Sequence, residues 1–198
     1  MKVTLIPLVA VMLALGGCGL EVLPPCEFCA LDEDAGFSPD QEGGLLAFGL
    51  TVQPPGAADA PLKGEVQWLA ENGQSFTDLR RIAFPEDLVP GQRRLVLWRV
   101  PAGTWSLRLV SWSQKKAAGA SISLGGHALA AEIPPGGVVY VGDLTLDGHQ
   151  EPAALTVGDD TADTRDELAL RQPAITAPLS ISILKDMRTP TGGPRKPK

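Results

Sequence analysis

Histidine, asparagine and aromatic side chains are all scarce in this 198-residue chain: two histidines, one asparagine and 5% aromatics. Serine-type catalysis needs an imidazole beside the nucleophile, and the two available are poorly placed for it. His127 lies between glycine and alanine and His149 in a polar turn, so both read as loop residues. The sequence also lacks Gly-x-Ser-x-Gly, a P-loop, a dinucleotide fingerprint and His-Glu-x-x-His. No basic stripe interleaved with aromatics occurs, and the net charge is −6, which argues against nucleic acid as a partner. The expectation is a protein that is not an enzyme and holds no cofactor or metal.

What is present begins at the N-terminus. Met1-Lys2 is a short positive segment, and residues 3–15 are an uncharged apolar run too short for a permanent membrane span. Leu15-Gly16-Gly17-Cys18 follows, an apolar residue, two small residues and a cysteine. This order reads as a lipoprotein signal peptide over residues 1–17, with Cys18 as the lipidated first residue of the mature chain. Several acyl chains on Cys18 would anchor the protein firmly, since each buried methylene contributes about 0.8 kcal/mol. Bacterial lipoproteins with aspartate after the cysteine are often kept in the inner membrane. Here that position is Gly19, which points to the outer membrane, facing the periplasm.

Counting Cys18 as consumed leaves Cys26 and Cys29 as an even pair. In an oxidising envelope Cys26-Glu27-Phe28-Cys29 reads as a small disulfide loop. A redox CxxC is the sharper alternative, but such motifs open a helix in a βαβ frame. This one follows Pro24-Pro25 in an acidic stretch. A zinc site would need two further ligands close by.

Residues 18–43 read as a flexible acidic tether, and 44–187 as one β domain. Leu46, Phe48, Leu50 and Val52 alternate, as do Val66, Trp68 and Ala70; a short strand follows around residues 79–84. Residues 93–112 read as a hairpin turning at Pro101-Ala102-Gly103. Its register places Leu95 and Leu97 opposite Leu109 and Leu107 on an apolar face that also takes Trp105. Arg94, Val96 and Trp98 then lie with Val110, Arg108 and Ser106 on a half-solvated one. Strands around residues 122–124, 128–133 and 138–146 continue the series, with Pro134-Pro135-Gly136-Gly137 as a turn. Val138-Val139-Tyr140-Val141 is apolar on both faces, as in a central strand. Thr164-Arg165-Asp166-Glu167 reads as a capping box for one short helix that Pro173 stops near Arg171. Leu179, Ile181 and Ile183 mark a last strand, and residues 188–198 read as a disordered basic tail.

The runs Val100-Pro101-Ala102-Gly103-Thr104-Trp105-Ser106-Leu107 and Ile133-Pro134-Pro135-Gly136-Gly137-Val138-Val139-Tyr140-Val141-Gly142-Asp143-Leu144 resemble bacterial envelope proteins with a prealbumin-like, carboxypeptidase-regulatory-like domain. Many of these are lipoproteins of unknown function. The resemblance covers residues 45–146 and implies an antiparallel β-sandwich of about seven to nine strands with no catalytic residues to carry over.

Three placements bear on binding. Trp98, with Arg108 beside it, and Trp112 are candidate ligand-stacking residues for a sugar or a partner side chain, against the plainer reading of Trp98 as covered by the tether or helix. Asp159, Asp160, Asp163, Asp166 and Glu167 fit no calcium loop and read instead as acids at a helix start. The pairs Arg80-Arg81, Arg93-Arg94 and Lys115-Lys116 read as solvated strand ends. The resulting expectation is a lipid-anchored module that binds another envelope protein, with a glycan- or peptidoglycan-binding module and a CxxC redox protein as alternatives.

Overall fold

A computed structural model describes residues 29–31, 36–55, 62–70, 79–114, 119–124 and 129–184. The signal segment, Cys18, Cys26, His127, the Lys115-Lys116 pair and the basic tail lie outside these residues.

The chain is mainly β, in two sheets with one helix. The first sheet contains β1 (Cys29–Ala30), β5 (Arg94–Pro101), β2 (Gly43–Gln53) and β9 (Val138–Asp147) in that order. The far side of β9 is shared by β11 (Leu179–Ile181), along Val138 to Tyr140, and β10 (Ala154–Gly158), along Asp143 to Asp147. The second sheet runs β4 (Leu79–Ala83), β3 (Leu62–Ala70), β6 (Gly103–Gln114), and β6 in turn pairs with β7 (Ala120–Ser123) and β8 (Ala130–Ile133). The second sheet is antiparallel throughout, but in the first both β2 and β11 run parallel to β9. The purely antiparallel expectation is corrected there.

Two apolar layers explain the burial. Phe48, Leu50, Val52, Val66, Trp68, Trp105, Leu107, Val110 and Trp112 belong to one core shared by both sheets, an arrangement compatible with a sandwich. Phe37, Leu45, Ala47, Leu97, Val138, Tyr140 and Leu168 form a second layer on the outer face of the first sheet. It lies beneath α1 (Thr161–Arg171) and the segments beside Phe37 and Ile175. The two layers account for the central strands: Leu45 to Leu50 and Val138 to Val141 are buried on both faces.

The hairpin of residues 93–112 is not formed. β5 and β6 belong to different sheets, and the Pro101-Ala102-Gly103 corner carries the chain from one to the other. β5 pairs with β2 along the whole of one edge and with the two-residue β1 at Trp98 and Arg99 on the other. Leu95 and Leu97 therefore face Gly49 and Ala47, while Leu107 and Leu109 face Trp68 and Gln67. Trp105 secures the corner by donating its indole N–H to the Pro101 carbonyl at 3.0 Å. The Pro134–Gly137 turn also crosses between sheets; Gly136 takes the positive φ of 65° that the turn requires.

Two boundaries move. Part of the acidic segment belongs to the fold: β1 pairs with β5, and Phe37, 1% exposed, bridges to Ile175. The helix begins at Thr161 rather than after Thr164, with Asp160 at its N-cap, and ends at Arg171 as the sequence indicates.

Candidate functional site

A connected polar group gathers around Arg93. The side chains that meet there come from three places, and a bulge in β9 makes the meeting possible. Residues of one strand alternate between faces, so Tyr140 and Asp143 would ordinarily point apart. The register between β2 and β9 shifts between Ala47 and Gly49, and Gly142 takes a φ of 106°, so Asp143 turns to the same face as Tyr140. Gly49 makes room for it: a Cβ there would fall 1.9 Å from Asp143 Oδ1.

Arg93 then spans sheet and helix. Its Nε donates to Asp143 Oδ2 at 2.7 Å, Nη1 to Glu167 Oε2 at 2.7 Å and Nη2 to Thr164 Oγ1 at 2.6 Å. Tyr140 donates its hydroxyl to Asp143 Oδ1 at 2.7 Å and accepts the Asp160 backbone N–H at 3.1 Å. Arg171 adds a second cation to Glu167 at 3.5 Å. Burial alone would weaken the charged form of Arg93, but the hydrogen bonds and charges of Asp143 and Glu167 raise its pKa well above the ordinary arginine value. Burial, followed by the bond to Asp143, likewise raises the Tyr140 phenol. The arrangement is a clamp holding α1 against the sheet, with a forked guanidinium matched to acceptors on both.

The clamp corrects two sequence expectations. Arg93 is not a solvated strand end, and its neighbour Arg94, also partly buried, lies 3.1 Å from the exposed Asp87. Thr164 and Glu167 do not form a capping box; Thr164 is fully buried inside the helix, and both side chains face Arg93. Of the acidic cluster, Glu167 bonds Arg93, Asp160 lies 4.0 Å from it, and Asp159 accepts from Thr161. Among the described residues no group of three His, Cys, Asp or Glu side chains is placed to hold a metal.

The proposed stacking residues are not brought together. Trp112 is 3% exposed and belongs to the core between the sheets, so neither face of its ring is open for stacking. Trp98 is partly buried against that same core from the first sheet, whereas Arg108 lies on β6 of the second. The hairpin that paired their faces does not exist. Trp105 is core, as expected. His149 is exposed in a turn, and Cys29 opens β1.

Two further features have the form of surfaces for other molecules. A cavity of about 370 Å³ lies beside α1, lined in part by Leu168, Gln172 and Leu179. A shallow depression of about 350 Å³ lies on the second sheet among Lys63, Glu65, Ser111 and Ser113. Strand alternation places these four side chains opposite the core positions Val66, Val110 and Trp112, with Glu65, Ser111 and Ser121 in one row across three strands. Among the described residues no helix is long and apolar enough to cross a membrane. Comparison with family models, curated proteins and solved structures finds no match to this chain.

Proposed function

We propose that this chain is a lipid-anchored protein of the bacterial envelope, held by acyl groups on Cys18. Its prealbumin-like β-sandwich is a non-enzymatic module that binds another envelope protein, and it resides at the outer membrane facing the periplasm. The anchor reading rests on the order of Met1-Lys2, the apolar run and Leu15-Gly16-Gly17-Cys18. Cys26 and Cys29 close a disulfide loop between anchor and domain.

The observation that carries the binding role is the contrast between the two outer faces. The first sheet is roofed by α1 and the Phe37 segment. On the second sheet, Lys63, Arg81, Ala83, Ser113, Ser121 and Ser123 are exposed, and β4, β7 and β8 each have one unpaired edge among the described residues. Open strands and their faces are where partners add to a sheet. The burial of Trp112 supports protein over glycan as the partner, since sugar binding leans on exposed aromatic rings.

Two measurements test the reading. Radioactive palmitate should label the wild-type chain, and Cys18→Ala should abolish the label and leave unprocessed precursor. Chemical cross-linking of the native lipoprotein in intact envelopes should yield one protein adduct whose formation needs the folded domain. Palmitate labelling that persists in Cys18→Ala would remove the anchor. Failure to recover any protein adduct would remove the partner.

A further inference from the structure

The edges of the two sheets are guarded unequally. β4 carries Arg80 and Arg81, β8 carries Glu132 and runs into Pro134-Pro135, and β1 and β11 are only two and three residues long. Charge, proline and shortness each discourage another strand from pairing. β7, which is Ala120-Ser121-Ile122-Ser123, and β10 carry no charge and no proline. Each has a single neighbour among the described residues, β6 and β9 respectively.

These two unguarded edges share one flank of the molecule. β8, on the same edge of β6 as β7, leads through the Pro134–Gly137 turn to β9, on which β10 is paired. A Cβ at Gly148, between β9 and β10, would fall 3.2 Å from the Trp112 ring, and Trp112 lies opposite Ala120 of β7. Ile122 and Leu124 from one sheet and Leu155 and Val157 from the other pack against the shared core but stay partly exposed. Val110, Leu144 and Leu146 on the adjoining strands are fully buried. The core meets water along this flank.

The backbone decides what can be added. Leu124 donates its N–H to the Arg108 carbonyl at 2.8 Å, so by the alternation of an antiparallel ladder Ile122 and Ala120 also bond β6. The N–H and C=O groups of Ser121 and Ser123 point away from β6, toward the place of a further strand. In such a strand the residue opposite Ile122 faces the core, and its neighbours lie beside the two serines. A charge at the inward position would be buried without a partner, so that position takes an uncharged aliphatic side chain. The chain's own last residues do not qualify: residues 188–198 contain three prolines, which lack the donor, and no valine, leucine or isoleucine. β10 belongs to the roofed sheet, whereas β7 continues the open face, since Ser121 shares a row with Ser111 and Glu65.

We propose that β7 is the edge to which the partner protein adds a strand, an extended segment with aliphatic residues facing Ile122 and polar ones beside Ser121 and Ser123. Main-chain bonds supply the affinity of such a contact and the alternating side chains its specificity. The inference rests on the reading that this domain binds a protein, and it names the edge and the chemistry of the contact.

The full chain carrying Cys18→Ser is titrated with a short fluorescent peptide of alternating valine and threonine, followed by anisotropy. Saturable binding is expected, and a peptide with lysine in place of each valine should not bind. Ser123→Pro removes an N–H that β6 does not use, so the melting curve should show a folded chain while peptide affinity falls about tenfold or more. Ser123→Ala keeps the backbone donor and should bind within about twofold of the unsubstituted chain. Without any change to the protein, peptides N-methylated on every valine or on every threonine should differ in affinity, because only one set of N–H groups faces β7. No saturable binding, equal affinity for Ser123→Pro and Ser123→Ala, or equal affinity for the two methylated peptides would overturn the proposal. So would a dimer of the unsubstituted chain that Ser123→Pro dissociates, which would give the edge to a second copy. In intact envelopes, a protein adduct that Ser123→Pro leaves unchanged would refute this edge while the protein-binding reading stands. Absence of any adduct from a chain that does bind the peptide would count against that reading instead.

Discussion

The two sheets share one core but treat their outer faces in opposite ways. The first sheet buries Leu45, Ala47, Val138 and Tyr140 beneath a helix and a segment from the start of the domain, so its central strands are apolar on both sides. The second alternates where β3 and β6 pair beyond the register shift at Gln67 and Trp68, with Val66 and Val110 inward and Glu65 and Ser111 outward. The difference is one of composition acting through the period of two: a strand that is apolar on both faces demands a second cover, and an alternating strand leaves one face to water. The covered face binds the molecule's own elements. The open face meets water.

Substitutions should separate the faces by their cost. The largest effect is expected at Phe37, since truncation of a fully buried aromatic costs about 3–5 kcal/mol. Urea denaturation of Phe37→Ala should show that loss, and a change under about 1 kcal/mol would mean that the Phe37 segment is not part of the cooperative fold. Arg93→Leu comes next. It strands Asp143 without a cation and leaves Glu167 only Arg171, a cost of about 2–4 kcal/mol at this partial exposure. Arg93→Lys should recover only part of it, because an ammonium cannot reproduce the three-way fork.

A smaller effect concerns pH. Tyr140 is the chain's single tyrosine, so phenolate absorbance reports this residue alone. Its folded pKa is raised above 10.0 by burial and by Asp143. As pH climbs past that unfolded value, the denatured chain gives up the proton first. The stability present below about pH 10 is therefore lost as pH rises through the folded value. Native protein should ionise at higher pH than protein in denaturant, and coincident curves would place the phenol in water. The smallest effect is predicted on the open face: Ser111→Lys should shift stability by no more than about 0.5 kcal/mol, and a larger loss would mean that the face is covered.

Part of this architecture can be read from local sequence. Alternation at Leu46 to Val52 and Val66 to Ala70 marks strands whose inward residues do form the shared core, and Pro173 does end the helix. The strand at Ala154–Gly158 escaped because its run is short and follows a polar turn. The Pro101-Ala102-Gly103 corner misled because the same turn residues serve a hairpin and a crossing between sheets. The choice depends on which strands pair with β5, and these, β1 and β2, come from more than 40 residues away in sequence. The Arg93 clamp was hidden for a related reason. Its partners lie 50 to 74 residues further along, and Thr164 and Glu167 have the spacing of a capping box. Only the fold shows that these two share a cation with Asp143, which the bulge at Gly142 brings beside Tyr140.

The central claim is that the open face of the second sheet is the partner-binding surface of an envelope lipoprotein. Site-specific photo-cross-linking in intact envelopes tests it most directly, with the photoreactive residue at Ser111 in one strain and at Leu170, 81% exposed on the helix, in another. The account predicts a discrete protein adduct from position 111 that disappears when Lys63 and Ser113 are both replaced by glutamate, and no such adduct from position 170. An adduct from position 170 alone, or none from position 111, would contradict it.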